Sequence, residues 1–395
     1  MSANGLDAAD DLNTGDAATN DPDMGAALNT RDNLNMGNAR SAGDDRGAGD
    51  ECGAGDELGA GIGRGIEFLR RSQLPSGEFK VFMSTDNSME TDCVVDSSPF
   101  PTALIAYSLG FAGRDEARAM LDKACAFFLA EMEGPGLWRY WTKQHQHHST
   151  IPPDLDDIAC VSYVLRRQGV SFPPNRRMIF ANRNPQGLFY TWLTPRRGLP
   201  LDAGYWRVVF RQWLNPVKLY YFWKLNESAP DDVDCVVNAN VLFYVGENDA
   251  TRAVVDYLID VARRGAEDCC DKWHLNRFTF YYVLARNFHA GVAAFAAVRE
   301  EVVGRIVGAA GADGRIGDNE LETALAVGAL LYWGSSPPEL ARAVRFLLAR
   351  QRAGGDWPRA ALYYGGPKKY YGWGSEELTT GFCLEALLHY RLTRS

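Results

Sequence analysis

Two kinds of hydrophobic pattern alternate along residues 61–395 of this 395-residue chain. Six segments are apolar on almost every side and rich in small residues, which is typical of helices that are buried all round. Between them lie segments with one apolar and one polar face, which predict helices with one side in water. The buried segments are 99–110, 156–169, 234–246, 278–287, 320–334 and 376–390, and the clearest amphipathic ones are 115–131, 250–264 and 338–350.

A short turn that contains glycine and an aromatic residue recurs in front of the buried segments. A degenerate repeat of helix, turn and helix is typical of helical arrays. We therefore expect an all-α fold over residues 61–395, a single α/α toroid with six inner and about six outer helices. The clearest copies of the turn are Gln73-x-x-x-Gly77-x-Phe79, Gly136-x-Trp138, Gly187-x-Phe189 and Gln351-x-x-x-Gly355-x-Trp357.

The first 60 residues have a different composition from the rest. They are rich in Gly, Ala, Asp and Asn and contain 13 acidic residues and 3 arginines, so their net charge is −10. The whole chain carries −9, which leaves residues 61–395 at about +1 by subtraction. Such a segment cannot bury enough apolar surface to offset its chain entropy, so we expect residues 1–60 to be a disordered acidic tail. It lacks the basic start and apolar core of a signal peptide.

The near-neutral charge of residues 61–395 argues against a nucleic-acid partner, which would need a basic face. No uninterrupted apolar stretch is long enough to span a bilayer. The eight cysteines are scattered without a Cys-x-x-Cys pair, which favours free thiols, mostly buried, in a reducing compartment. We therefore expect a cytoplasmic protein. The sequence gives no prediction of oligomeric state.

Three carboxylates stand within four residues at Asp154, Asp156 and Asp157, directly after two prolines and before a buried segment. The prolines block a helix ahead of the acids, so the acids are predicted at a helix N-terminus. Like charges close together in a dry place raise at least one pKa, and the result is a proton donor near neutral pH. The helix dipole opposes this shift, and Asp is also a common N-cap. Helix capping is therefore the alternative to acid chemistry.

Both motifs resemble those of one superfamily. The turn Gln-x-x-x-Gly-x-Trp/Phe is similar to the QW motif of the squalene–hopene cyclase and prenyltransferase β-subunit superfamily. Asp154-Leu-Asp-Asp-Ile-Ala is similar to the DxDD-T-A motif of class II terpene cyclases. The fold resemblance covers residues 61–395, while the catalytic motif covers about 16 residues from Asp154 to Gly169. Ile158 stands where the family usually has Thr, and class II cyclases typically place the site between two barrels, whereas this chain has room for one.

The resemblance implies a class II-like terpene cyclase, an isomerase- or lyase-type enzyme that protonates a linear isoprenoid and cyclises it through carbocations. It implies that Asp156 is the general acid and that Asp154 and Asp157 position and tune it. The implied substrate is a small isoprenoid, either a polyprenyl diphosphate, a polyprene or a prenylated aromatic compound. No cofactor is implied, and Mg²⁺ is expected only with a diphosphate substrate.

Carbocation chemistry needs a dry pocket with aromatic walls, because ring faces stabilise cations. The starts of the inner helices converge at one end of a toroid, so residues near those starts are candidates for substrate binding. Ordinary core packing is the alternative for the aromatic candidates, and structural hydrogen bonding is the alternative for the asparagines. His274 could also pair with the acid or accept the last proton. The candidates are Trp223, Tyr221, Asn238, Asn240, His274, Phe278, Tyr371 and Trp373.

An aromatic-rich insertion is predicted at residues 190–230, before the third inner helix. Trp and Tyr favour positions with one apolar and one wet side. The insertion could cover the mouth of the cavity, contact a membrane surface peripherally, or pack as an ordinary extra helix.

Three other functions are open at this point. A prenyltransferase β-subunit holds zinc with Asp, Cys and His, but Asp234 and Cys235 are adjacent here rather than spaced, and the triplet of histidines at 145, 147 and 148 fits no common zinc pattern. We therefore expect no metal site. A carbohydrate-active α/α barrel needs a second carboxylate. A non-catalytic toroid would bind a lipid or a protein. The candidates for the second carboxylate are Glu320, Glu322, Glu376 and Glu377.

Overall fold

The structure is a computed structural model that describes residues 50–86, 88–196 and 202–394. Most of the predicted acidic tail therefore lies outside the described residues. Its predicted end at residue 60 is wrong, because helix α1 spans Asp50–Ser72 and buries Leu58, Ile62, Ile66 and Leu69 along one side. Glycines at alternate positions lower the helix propensity of this segment and hide its apolar spacing in the sequence.

Helices make up most of the folded chain. Thirteen more follow α1 in the described residues: α2 (Pro99–Leu109), α3 (Arg114–Glu131), α4 (Leu155–Arg167), α5 (Arg176–Ala181), α6 (Ala203–Arg211), α7 (Pro216–Asn226), α8 (Cys235–Val245), α9 (Arg252–Arg264), α10 (Arg277–His289), α11 (Arg299–Gly308), α12 (Glu320–Tyr332), α13 (Pro338–Arg350) and α14 (Glu376–Arg394).

Six of these helices form a closed inner ring. Helices α2, α4, α8, α10, α12 and α14 each pack on the next, and α14 packs back on α2. Helices α2, α8 and α12 are apolar on all sides because they are enclosed by ring neighbours and an outer helix, and every residue of α2 is buried. All six predicted inner segments are confirmed, and the fold is the predicted all-α toroid.

The outer layer alternates with the inner ring along the chain. Helices α1, α3, α5, α9, α11 and α13 each precede one inner helix. Their apolar positions recur at helical spacing, as in α9, where Val254, Val255, Leu258 and Val261 are buried. One face thus packs on the ring, and the other remains in water.

The glycine turns connect outer to inner helices with the same contacts at both ends of the chain. The Gln73 amide donates to the carbonyl oxygens of Gly77 and Met120 at 3.0 and 2.9 Å. The Gln351 amide donates to those of Gly355 and Gly61, both at 2.9 Å. Gly77 and Gly355 have φ of +96° and +89°, where a side chain is strained.

A small antiparallel sheet was not predicted. Its strands are β1 (Val81–Ser84), β2 (Val94–Asp96), β3 (Tyr363–Gly365) and β4 (Tyr371–Gly374), in the order β2-β1-β4-β3. Strands of three or four residues carry too little alternation to be recognised in a sequence. The sheet joins the first and last repeats, because β1 pairs with β4.

The expectation of free cysteines is wrong for one pair. Cys235, at the start of α8, forms a disulfide with Cys270. Five other cysteines in the described part of the chain are free, and three of these are buried. The pairing could not be predicted, because Cys235 and Cys270 are 35 residues apart in the sequence. No helix among the described residues has the length and apolar character needed to cross a bilayer.

Candidate active site

A cavity opens where the starts of several inner helices meet. The segments before α4, α10 and α14, the first turns of α2, α4 and α8, and one face of α7 all contribute to it. The convergence expected from the toroid therefore occurs, and side chains of one toroid line the cavity. The lining residues are Phe100, Tyr140, Trp141, Ile151, Asp154, Asp156, Asp157, Thr191, Trp192, Phe222, Asn226, Val237, Trp273, His274, Tyr363 and Trp373.

Asp154 is the N-cap of helix α4. Its Oδ1 accepts a hydrogen bond from the backbone N–H of Asp156 at 2.7 Å. Its backbone is extended and also forms a bridge with Trp192. The capping interpretation therefore holds for the first acid of the motif, and it fixes the backbone that carries the other two.

Asp156 lies in the first turn of α4 with both carboxyl oxygens engaged. Its Oδ1 accepts from Nδ2 of Asn240 at 2.6 Å, and its Oδ2 lies 3.2 Å from Nε2 of His274. The side chain is buried. Helices α4, α8 and the segment before α10 thus each supply one member of a hydrogen-bonded group at the floor of the cavity.

Arg286 orients the Asn240 amide. A guanidinium N–H of Arg286 donates to Oδ1 of Asn240, and Arg has no acceptor atom. The Asn240 oxygen must therefore face Arg286, so its NH₂ group faces Asp156. Arg286 is fully enclosed, and its charge lies over the ring of Phe243 at 4.2 Å and that of Tyr107 at 5.1 Å.

The other two acids of the motif hold protons more tightly than usual. Burial raises the pKa of Asp154 well above its usual value, and the charge of Asp156 adds to the effect. Burial also raises the pKa of Asp157, with further contributions from Asp154 and Asp156. Oδ1 of Asp157 has no hydrogen-bond partner among the described residues. The expected upward shift therefore appears at Asp154 and Asp157.

His274 is the hydrogen-bond partner of Asp156 from the segment before α10. Burial alone would lower the pKa of His274, but the hydrogen bond to Asp156 and the charge of Asp271 outweigh it, so the pKa lies above its usual value. Asp271 also fixes the segment, because its Oδ1 accepts from the backbone N–H of His274 at 2.8 Å and its Oδ2 from that of Val236 at 3.0 Å. A protonated His274 stabilises a carboxylate on Asp156.

A second acidic pair lies next to this group. Burial and the charge of Asp271 raise the pKa of Asp234 to about 7. Asp234 accepts hydrogen bonds from the hydroxyl of Thr191 at 2.6 Å and from the backbone N–H of Lys272 at 2.9 Å. The Cys235–Cys270 disulfide joins the residues adjacent to Asp234 and Asp271.

The walls of the cavity are aromatic. Trp192 packs edge to face on Trp273 at 5.5 Å, and Tyr363 stacks on Trp373 at 5.9 Å between ring centres. Asp96, at the end of β2, fixes two tryptophans, since the indole N–H groups of Trp373 and Trp141 donate to its Oδ2 at 2.8 and 3.1 Å. Burial alone would raise the pKa of Asp96, but hydrogen bonds from His145 and these indoles lower it.

One lysine lies next to the cavity lining: Nζ of Lys369 is 4.3 Å from the ring centre of Trp273 and donates to the carbonyl oxygen of Asn226 at 3.1 Å. None of the lining residues is Lys or Arg, and His274 is the only basic group among them. The enclosed free volume of the cavity is about 70 Å³.

The predicted binding residues divide into two groups. His274 and Trp373 line the cavity, Asn240 contacts Asp156, and Trp223 packs on the lining residue Trp192 at 5.6 Å. The other four do not line it. Asn238 bonds to the backbone of Phe189, and Tyr221 is 52% exposed on the outer side of α7. Phe278 packs on Tyr281, and Tyr371 packs on Trp373.

The histidines at 145 and 148 contact different carboxylates and do not form a shared site. Nε2 of His145 lies 3.2 Å from Asp96, while Nε2 of His148 lies 2.9 Å from the buried Glu133. Within the described residues, no group of three or more His, Cys, Asp or Glu side chains has the arrangement of a metal site.

The glutamates considered as a second carboxylate lie outside the cavity lining. Glu320 pairs with Arg350 at 2.6 Å and Glu376 with Arg359 at 2.8 Å. Glu322 accepts from the backbone of Asp318, and Glu377 is buried. The carboxylates that line the cavity all come from the start of α4.

Sequence reasoning missed several residues of the site. Trp192, Phe222 and Asn226 come from the insertion, where only the aromatic content was recognised. Arg286 had a usable signal, because a lone charge inside the apolar segment 278–287 needs a partner. Tyr140 and Trp141 follow a glycine turn and had no individual signal.

Solved structures match this fold. The type II terpene cyclase MstE from Scytonema, in its apo form, superposes with a TM-score of 0.63 at 16% sequence identity, covering 84% of this chain and 98% of that chain. The chain has a type II terpene cyclase-like fold. A variant of MstE in complex with geranylgeranyl dihydroxybenzoate, its substrate, has a TM-score of 0.64 at 16% identity and covers 86% of this chain and 99% of that one. A protein from Actinoplanes has a TM-score of 0.61 at 18% identity, with coverages of 84% and 99%.

No protein-family model matches the sequence, and no curated protein matches it. The type II terpene cyclase-like fold is therefore recognised by structure and not by overall sequence similarity. Almost the whole of each neighbour is covered, so the single toroid of this chain corresponds to the complete neighbouring chains.

Proposed function

We propose that the chain is a class II-like terpene cyclase that protonates a linear isoprenoid and cyclises it through carbocations, with Asp156 as general acid. The observation that carries the proposal is the position of Asp156, buried at the floor of an aromatic cavity with both carboxyl oxygens engaged by donors from Asn240 and His274.

The hydrogen bonds of Asp156 favour proton donation to the substrate. Each carboxyl oxygen has two lone-pair positions, and the two contacts occupy one on each oxygen. A proton on Asp156 therefore occupies one of the remaining positions of a side chain that lines the cavity. When the proton leaves, the carboxylate is stabilised at once by the Asn240 amide and the His274 imidazolium, which are already oriented.

The remainder of the site suits a carbocation. After an alkene carbon takes the proton, its double-bond electrons form the new C–H bond and leave positive charge on the neighbouring carbon. That charge passes to further double bonds as rings close, and the faces of Trp192, Trp273 and Tyr363 stabilise it while the apolar wall excludes water. A final deprotonation completes the reaction. Nε2 of His274 is already engaged by Asp156, so we assign the last step to another acceptor.

No lining residue is Lys or Arg, and the adjacent Lys369 is held by the carbonyl oxygen of Asn226 and the ring of Trp273, which favours a substrate without a diphosphate group. A polyprene or a prenylated aromatic compound fits the aromatic wall better, and Mg²⁺ would then take no part. MstE is solved with geranylgeranyl dihydroxybenzoate as its substrate, which makes a geranylgeranylated aromatic acid the first compound to test.

The alternatives are less well supported. A glycosidase needs two carboxylates on opposite sides of the scissile bond, whereas all three lining carboxylates belong to α4. A prenyltransferase-type zinc ligand is not available at Cys235, which is bonded to Cys270. A non-catalytic toroid would not need the oriented group around Asp156.

The test is product analysis with Asp156→Asn and a matched surface variant, Asp260→Asn on α9. Both proteins and the wild type are incubated with geranylgeranyl dihydroxybenzoate, squalene, and farnesyl and geranylgeranyl diphosphates, and products are separated by mass spectrometry. We expect a cyclised product from the wild type and Asp260→Asn, and a loss of about a thousandfold in Asp156→Asn with unchanged circular dichroism. A product formed at a near wild-type rate by Asp156→Asn would refute the assignment of the acid.

A further inference from the structure

The insertion exposes an apolar surface beside the cavity. The described residues include 13 large hydrophobic side chains that are exposed, and seven of them belong to residues 210–225. Leu214 is 79% exposed, Val217 67% and Trp213 57%. An apolar patch of this kind is typical of an interaction site rather than of ordinary surface. We call these seven residues the α6–α7 face: Phe210, Trp213, Leu214, Val217, Tyr220, Tyr221 and Leu225.

Helix α7 carries apolar residues on both of its sides. Leu219, Phe222, Trp223 and Asn226 face the protein at helical spacing, and Phe222 and Asn226 line the cavity. The opposite side carries residues of the α6–α7 face. A single helix, about 10 Å thick, therefore lies between the cavity and the exposed face.

The charge around the α6–α7 face is positive. Residues 203–226 contain four basic residues, Arg207, Arg211, Lys218 and Lys224, and no acidic residue. All four are exposed, and Arg211 also pairs with Glu133 at 2.9 Å. Asp202 and Glu227 flank the segment.

A basic depression adjoins the face. Lys143, Arg207 and Arg211 line it together with His148 and the paired Glu133. Its cationic groups outnumber its single carboxylate, so it is suited to an anionic headgroup at the edge of an apolar contact.

From these observations we infer that the α6–α7 face docks on the surface of an anionic phospholipid bilayer. Exposed Trp, Tyr and aliphatic side chains enter the interface, and the basic residues around them contact the lipid phosphates. Charge complementarity selects this partner over a second copy of the chain, because two such faces would bring like charges together.

Docking of this kind goes beyond the proposed function, and it would bring the cavity within one helix of the lipid. An apolar ligand could then pass between the bilayer and the cavity around α7 without crossing bulk water. The inference concerns binding of the full chain to lipid and needs no turnover.

The experiment is co-sedimentation with vesicles of phosphatidylcholine alone and of an equal mixture of phosphatidylcholine and phosphatidylglycerol. We expect the wild type to bind the mixed vesicles and to bind neutral vesicles about tenfold or more weakly, with binding reduced by salt. The triple variant Trp213→Ser/Leu214→Ser/Val217→Ser should lose binding by at least about tenfold. Lys218→Gln/Lys224→Gln should lower binding to the mixed vesicles only.

The matched control is Leu129→Ser/Leu392→Ser, which removes two exposed apolar side chains elsewhere and should bind as the wild type does. Circular dichroism and light scattering are recorded for each protein. Lack of wild-type binding to mixed vesicles, or equal binding by the triple variant, would overturn the inference. So would a wild-type dimer that the triple variant converts to a monomer without any vesicle binding, since the face would then join two copies of the chain.

Discussion

Asn240 Nδ2 lies 2.6 Å from Asp156 Oδ1, and Arg286 on the far side of the amide fixes the direction of this hydrogen bond. The amide can only donate to Asp156, so it stabilises the carboxylate more than the neutral acid. His274 acts in the same direction from the other oxygen. The group is thus arranged for the state that follows proton transfer, which is the state an acid catalyst must stabilise.

Removing the Asn240 donor should slow turnover without unfolding the protein. Loss of one oriented donor to a developing anion costs about a hundredfold in kcat, so Asn240→Leu should lower kcat by about that factor. Steady-state kinetics checks the change.

Two substitutions of Arg286 test whether this side chain orients the Asn240 amide. Arg286→Lys retains a donor toward Asn240 and should keep more activity than Arg286→Met, which frees the amide to turn. Equal rates in the two variants, at equal thermal stability, would mean that Arg286 does not orient Asn240.

The contribution of His274 to the free energy of unfolding should decrease as pH rises. Its pKa is raised on folding above the unfolded value of about 6.5. A raised pKa gives stability that is complete below the unfolded pKa and is lost as pH rises through the folded pKa. Urea unfolding of the wild type and His274→Gln, at acidic and alkaline pH, should therefore show a stability difference that shrinks toward alkaline pH. A difference that grew would contradict the raised pKa of His274 in the folded protein.

The repeat turn should tolerate no side chain at its glycine. A Cβ at Gly355 would lie 2.3 Å from the carbonyl oxygen of Arg64, and φ there is +89°. Gly355→Ala should therefore destabilise the protein by about 2 kcal/mol or more. The control is Gly63→Ala in α1, where a Cβ meets no atom within 4 Å. Because Ala favours a helix more than Gly does, this substitution should raise the free energy of unfolding by about 1 kcal/mol. Denaturant titration measures the change in the free energy of unfolding for both variants. Similar changes would mean that the turn at Gly355 does not require a glycine.

Truncation should separate the acidic tail from helix α1. Deleting residues 1–49 should leave the free energy of unfolding unchanged, as expected from the composition of the segment. Deleting residues 1–58 also removes the buried Leu58 and should cost about 2 kcal/mol. Equal stability of the two truncated proteins would mean that the start of α1 adds nothing to the fold.

The inner ring could be predicted from sequence because burial on all sides leaves a strong signal. Helices such as α2 and α12 are apolar at nearly every position, and no other environment in a globular protein favours that pattern. The beginning of α1 was missed because the six glycines of this helix obscure its apolar spacing, and the sheet was missed because its strands are short.

The acid could be predicted by motif, but its partners depend on tertiary contacts. Asn238 and Asn240 are two residues apart, so they face different sides of α8. Only the structure decides that Asn240 faces Asp156 while Asn238 bonds to Phe189. The disulfide was missed for the same reason, since it joins segments 35 residues apart in sequence.

Running the reaction in deuterium oxide tests whether cyclisation begins with protonation by Asp156. A cyclase that begins by protonation transfers one solvent-derived hydrogen from Asp156 to a carbon of the substrate. Mass spectrometry of the product from geranylgeranyl dihydroxybenzoate, or from whichever substrate is accepted, should show one non-exchangeable deuterium at a former alkene carbon. A cyclised product without carbon-bound deuterium would contradict acid-initiated cyclisation by this site.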